Sequence, residues 1–479
     1  LSLNICALST AKGMILNMEK LFRLKENGTT VRTELIAGLT TFVTMAYIIF
    51  VNPAILGITG MDTGAVFVAT ILASVIGTLV MGLYANVPYA QAPGMGLNAF
   101  FTYTVCIALR FEWEQALAIV FICGIINILI TATKIRKMLI EAIPETLQYA
   151  ISGGIGLFIA YIGIKQAHFL NFTSEANNIS ATLDSGDVIA KDIVPAIVDF
   201  SDPVSQLALI GLVITVVLML RKVKGAILIG IISTTILGLF IGPITQIPDL
   251  GLDSFIPPSI TPTLFKLDLV GLFEDPSRIL AVLSTVLAFS LSDTFDTIGT
   301  FIGTGRKSGI FDKKDEEQLH NSKGLKSKMD KALFADAIAT STGALLGTSN
   351  TTTYVESAAG ISAGGRTGLT SVFTAMFFLL ALFLSPFAQM VTPAATAPAL
   401  IVVGVLMMES ISKIKWGEFE EAVSAFFTVV IMPFTYSISN GVAAGFLFYV
   451  ITKIVCRKAK EVHPLLYIVT LLFVIDFII

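Results

Sequence analysis

Apolar residues fall in runs of about twenty along this chain, separated by short polar breaks. A helix rises about 1.5 Å per residue and the hydrocarbon core of a bilayer is roughly 30 Å thick, so runs of this length can cross it. They occupy about 34–51, 65–84, 92–109, 115–133, 146–165, 204–220 and 225–245. A second series lies near 279–303, 332–348, 351–363, 369–390, 394–411, 420–437 and 440–456. The pattern predicts an all-α polytopic membrane protein with 14 transmembrane segments, the first seven within 18–246 and the second seven within 279–456. The tail 457–479 holds one more apolar piece, Leu465 to Ile479, which contains Asp476 and reads as an interfacial helix or a marginal extra span. Residues 1–17 form a short, broken apolar patch ahead of Met18 and read as an upstream extension outside the fold.

Composition agrees. Of 479 residues, 54% are hydrophobic and 14% charged, with mean hydropathy +0.83, which excludes a soluble enzyme and gives no sign of a nucleic-acid partner. The location of charge adds orientation. Basic residues gather at the amino end (Lys20, Arg23, Lys25, Arg32), at Lys134, Arg136 and Lys137, at Arg221, Lys222 and Lys224, through 306–331, at Lys413 and Lys415, and at Arg457, Lys458 and Lys460. Each internal cluster follows an even-numbered span, which places those loops and the N-terminus in the cytoplasm of a cell-membrane protein. The loops 167–202 and 245–277 carry one lysine each, Lys191 and Lys266, and belong outside. Seven spans is odd, so the second series must enter from the opposite side, giving a 7+7 inverted repeat. The four cysteines form no C-x-x-C pair and the three histidines sit in loops or at loop edges, so no disulfide framework, metal site or cofactor is expected.

Polar residues within the apolar runs carry the candidate chemistry. Ser290, Asp293, Asp296, Thr297, Thr300 and Thr304 form one stripe on a helix, and no Lys, Arg or His lies between Ile279 and Gly305. An acid at membrane depth costs about 2.5–3.5 kcal/mol, so these carboxylates must be protonated, hydrogen-bonded elsewhere, or bound to a substrate or cation. The bland alternative is a polar contact between helices. Two spans at equivalent places in the halves are interrupted: Pro88 to Asn98, and Thr348 to Gly360. Gly94 and Gly96 allow close approach and Thr351 to Thr353 favour extended backbone, which predicts short extended pieces in segments 3 and 10 followed by half-helices lining a wet cavity. Glu356 is a third acid at depth; Asn98 adds an amide, and Thr353, Tyr354, Ser357 and Thr297 lie near enough in sequence to support the site. Paired acids in apolar surroundings can hold a proton and release it when the cavity opens to the other side, and the same acids could bind Na⁺. They suit a small, flat substrate rich in N–H donors, against which Phe42, Tyr47, Phe100 or Tyr354 could stack, although packing is the commoner role of such rings.

Gln91-Ala92-Pro93-Gly94-Met95-Gly96-Leu97-Asn98-Ala99-Phe100-Phe101, Asp293-Thr294-Phe295-Asp296-Thr297-Ile298-Gly299-Thr300 and Thr351-Thr352-Thr353-Tyr354-Val355-Glu356-Ser357-Ala358-Ala359-Gly360-Ile361 resemble the AzgA-like adenine/guanine/hypoxanthine permeases of the nucleobase:cation symporter-2 type. The resemblance runs from Met18 onward. It implies a uracil-permease-like fold with a core domain (spans one to four and eight to eleven) and a gate domain (the rest). It also implies proton symport of purine nucleobases and essential roles for Asn98, Asp293, Asp296 and Glu356. The expected partners are a purine nucleobase and the lipid bilayer, with a homodimer as a further option. Two other readings fit poorly. An intramembrane aspartyl protease places its acids on separate spans with Gly before one Asp, whereas Ser292 and Phe295 precede these. An anion transporter of the same fold would want cationic or half-helix sites. The segment Gly303 to Gly309 lacks the spacing of a phosphate-binding loop.

Overall fold

The computed structural model describes residues 18–133, 143–173, 179–182, 188–190, 194–241, 244–247, 252–305, 308–311, 325 and 327–478. The extension Leu1 to Asn17, the basic cluster Lys134 to Lys137, Lys191 and most of the basic loop 306–331 lie outside the described residues. Among the described residues nine helical runs are long and apolar enough to cross a bilayer.

Local chemistry sets the ends of these helices. Thr30 caps α1 (Val31–Met45) by accepting from Thr33 N. The chain breaks at Ala46–Tyr47 and resumes as α2 (Ile48–Leu56), whose Pro53 cannot donate to the turn before it. Asp62 caps α3 (Thr63–Val80), its Oδ1 accepting from Ala65 N at 2.7 Å. Strand β1 (Gln91–Pro93) and the short helix α4 (Met95–Ala99) follow, the latter continuing in wider turns to Ala108. Helices α5 (Trp113–Ala132) and α6 (Glu145–Gln166) complete this stretch. After α6 the chain forms two antiparallel ribbons, β2 (Leu170–Thr173) with β5 (Val194–Ile197) and β3 (Ile179–Thr182) with β4 (Val188–Ala190). The all-α reading therefore needs correcting: the chain is mostly helical, but this stretch also pairs as short strands, with Thr173 opposite Val194 and Thr182 opposite Val188.

Next come α7 (Pro203–Leu220), α8 (Ala226–Leu237) and α9 (Ile279–Thr300). Helix α10 (Lys328–Leu346) opens on a Ser327/Asp330 capping box and stops at Gly347, whose φ of +97° suits glycine. Strand β6 (Thr351–Thr353) leads into α11 (Ser357–Ser362) and α12 (Gly368–Leu380). The chain ends with α13 (Pro393–Met407), α14 (Phe419–Thr435), α15 (Ile438–Val455) and α16 (Pro464–Ile478).

Helix pairing falls into two groups. In one, α10 packs on α3 and α5, α12 on α1 and α3, and α9 on α5; in the other, α13 packs on α6, α7 and α8, and α14 on α6 and α15. Apolar burial gives helices little reason to associate within lipid, so close approach of small residues matters. A Cβ on Gly77 would stand 2.7 Å from Ala339 Cβ, and one on Gly156 would stand 2.8 Å from Gly404 O. A buried carboxylate also ties α1 to the start of α12: Glu34 Oε2 accepts from Thr370 N at 3.0 Å and Thr370 Oγ1 at 2.6 Å, while Oε1 accepts from Arg366 N at 2.9 Å.

Candidate functional site

The two interrupted spans meet. Strands β1 and β6 run antiparallel, with Gln91 opposite Thr353, Ala92 opposite Thr352 and Pro93 opposite Thr351. The crossing is extended at both ends, where Gly94 N donates to Asn350 O at 2.9 Å and Tyr354 N donates to Ala90 O at 3.0 Å. Each strand satisfies the other's backbone, which membrane depth demands of any non-helical segment. Side chains from neighbouring helices complete it. Asp336 of α10, fully enclosed, accepts on Oδ1 from Thr353 Oγ1 at 2.7 Å, Thr297 Oγ1 at 3.0 Å and Gln91 Nε2 at 3.1 Å. Ser357 Oγ accepts from Ala90 N at 3.0 Å, and Tyr354 OH donates to Pro93 O at 2.6 Å.

The polar stripe of α9 divides here. Asp293 is fully buried, its Oδ2 accepting from Asn127 Nδ2 at 3.1 Å with Thr340 Oγ1 also 3.1 Å away. Asn127 in turn accepts from Ser290 Oγ. Asp296, three residues on, is exposed and lies within electrostatic reach of both Asp293 and Glu356. Glu356 is half-buried at the start of α11 and accepts a hydrogen bond from Tyr47 OH on Oε1 at 2.7 Å. Among the described residues no Lys, Arg or His pairs with Asp293, Asp296, Asp336 or Glu356. The carboxylates must therefore share protons, take neutral donors, or meet a ligand that supplies positive charge or N–H groups.

The residues expected from the sequence thus separate. Asp296 and Glu356 lie within electrostatic reach of each other and of Tyr354. Asn98 is buried and occupied, donating to Pro93 O at 3.4 Å and accepting from Ser349 Oγ. Thr297, Thr353 and Ser357 hold the strand crossing. Gly94 and Gly96 serve close packing, since a Cβ on Gly94 would stand 2.6 Å from Thr352 Cγ2 and one on Gly96 2.5 Å from Ile155 Cγ2.

Reading the sequence alone overlooks Asp336, Gln91 and Asn127, and assigns Tyr47 only a stacking role. The rule that picks out Asp293 applies equally to Asp336, which lies in the run 332–348, but its nearness to the basic loop masks it. Nothing in the local pattern marks Asn127 or Tyr47, whose partners are far along the chain.

One group of acids, Glu418, Glu420 and Glu421, brings ligand atoms within 4.8 Å of one another, but Lys453 pairs with Glu420 at 3.5 Å and Glu421 at 3.3 Å and fills the role a cation would have.

Comparison with known proteins completes the picture. Residues 32–444 match the model Xan_ur_permease, described as the permease family. The chain is 45% identical to the putative permease MJ0326 of Methanocaldococcus jannaschii over 96% of this chain and 98% of that one. It is 40% identical to the adenine permease AdeP of Escherichia coli over 98% and 97% of the two chains, and 39% identical to the guanine/hypoxanthine permease PbuG of Bacillus subtilis over 96% and 99%. Among solved structures, the transmembrane domain of a cyanobacterial bicarbonate transporter, BicA, superimposes with TM-score 0.59 at 16% identity, covering 86% of this chain and 96% of that one. SLC26A9 gives a TM-score of 0.56 at 12% identity, covering 89% and 66%. At these identities the likeness speaks to the fold alone.

Proposed function

Because this chain belongs to the permease family and is a multi-pass membrane protein, we propose that it is a secondary active transporter driving proton-coupled uptake of purine nucleobases, namely guanine, hypoxanthine or adenine, across the cell membrane. The observation that carries this reading is the pair Asp296 and Glu356. The two carboxylates lie within electrostatic reach of each other, neither pairs with a Lys, Arg or His among the described residues, and Glu356 follows the strand in which one broken span crosses the other. A purine base offers ring and exocyclic N–H donors to such oxygens, and a planar face to Tyr354. Asp293 and Asp336, enclosed and held by neutral donors, are the groups suited to carrying the coupling proton; sodium is the alternative ion.

The reading includes 14 spans in a 7+7 inverted repeat, with the N-terminus in the cytoplasm. The helices at the expected positions support it, as do the two helix groups, whose membership matches the core and gate division, and the antiparallel meeting of segments 3 and 10.

Uptake of radiolabelled guanine, hypoxanthine, adenine, uracil and sulfate into cells expressing the protein, with and without a proton uncoupler, tests it. Purine uptake that the uncoupler abolishes is expected. Sodium-dependent uptake insensitive to the uncoupler would replace the proton, and sulfate uptake without purine uptake would overturn the assignment. Asp293→Asn and Glu356→Gln should each abolish purine uptake in protein that still reaches the membrane.

A further inference from the structure

The first span is also broken, and its break touches the other two. Helix α1 ends at Met45 and α2 begins at Ile48, so Tyr47 sits where the regular hydrogen bonding lapses. Its side chain turns inward and is 1% exposed. The phenol O–H donates to Glu356 Oε1 at 2.7 Å, and its ring centroid lies 6.5 Å from that of Tyr354, whose own hydroxyl is spent on Pro93 O. Among the described residues Tyr47 is the one side chain that donates to Glu356, and Oε2 takes no hydrogen bond from another residue.

A carboxylate has two oxygens and a rotatable bond. Fixing one oxygen with a rigid donor aims the other. We infer that Tyr47 is a positioning residue of the purine site: by holding Oε1 it presents Oε2 of Glu356 to an N–H of the bound base, and so links the break in the first span to substrate binding. This rests on the reading of Glu356 as a purine-binding group. The loss of a hydrogen bond to a charged group typically weakens an interaction about ten-fold or more, while the aromatic ring of a phenylalanine keeps the packing intact.

Purine uptake kinetics of Tyr47→Phe decide the point, alongside Glu356→Gln and the thermal midpoint of each purified, unliganded protein. The expected result for Tyr47→Phe is a KM raised about ten-fold, Vmax within about two-fold of the parent and at most a small fall in the midpoint, because Glu356 is only half-buried and water can replace the lost donor. An unchanged KM overturns the inference, whether Vmax is retained or falls together with the midpoint. Should Tyr47→Phe reach the membrane too poorly for kinetics, equilibrium binding of guanine to the purified variant replaces them. Binding weakened about ten-fold supports the inference and parental affinity overturns it. If Glu356→Gln transports with the parental KM, the purine-site reading itself fails; if Glu356→Gln is dead while Tyr47→Phe behaves as the parent, only the role of Tyr47 fails.

Discussion

Asp293 and Asp296 stand less than one turn apart on α9, yet the first is sealed between α5 and α10 and the second is exposed. A helix turns by about 100° per residue, so positions three apart differ by about 60° around the axis, enough here to separate enclosure from access. The enclosed acid depends on its donors. Removing one partner of a buried carboxylate leaves it short of a hydrogen bond and costs about 1–3 kcal/mol. Asn127→Ala should therefore lower the thermal midpoint of the purified protein and reduce uptake, and Asn127→Asp should do more damage by adding a like charge beside Asp293. A midpoint unchanged by Asn127→Ala would mean that Asn127 does not hold this acid.

At the scale of elements, the crossing of β1 and β6 is a non-helical piece held by several buried side chains. Its three residue pairs are held by Asp336, which accepts from Gln91 and Thr353 within the crossing and from Thr297 beside it. Gly94 stands so close to Thr352 that a methyl group cannot be added without displacement. Overpacking of this kind costs about 1–3 kcal/mol. Gly94→Ala should lower both the thermal midpoint and uptake, and Thr352→Ser should restore much of the loss, since it removes the clashing Cγ2 but keeps the hydroxyl bonded to Thr297. Additive losses in the double variant would exclude this contact as the cause. The broken positions themselves were legible: glycines, Pro93 and a run of threonines interrupt otherwise apolar spans. Their pairing was not, because Gln91 and Thr353 are 262 positions apart and neither strand pattern names its partner.

For the whole molecule, the distribution of basic residues along the chain predicts a sidedness that can be tested. Asn171 lies in the ribbon of β2 and β5, which the proposed orientation puts outside, whereas the exposed Cys456 follows α15 beside Arg457 and Lys458. In a chain whose other cysteines are replaced, Cys456 should react with a membrane-impermeant thiol reagent only after the cells are permeabilised, and a cysteine introduced by Asn171→Cys should react in intact cells. Labelling of both from the same side would overturn the proposed orientation.

Span positions, their break points and the presence of acids at membrane depth follow from the sequence by itself. Bilayer thickness and helical rise act on about twenty consecutive residues, so a local window contains the whole signal. Tertiary structure alone decided which acid is enclosed, that the two extended pieces answer each other's backbone, and that Asp336 bonds the crossing, Asn127 bonds Asp293 and Tyr47 bonds Glu356. Each of those outcomes depends on a partner brought from a distant part of the chain, and the stability of a buried carboxylate is set by what stands within about 3 Å of it and not by its neighbours in sequence.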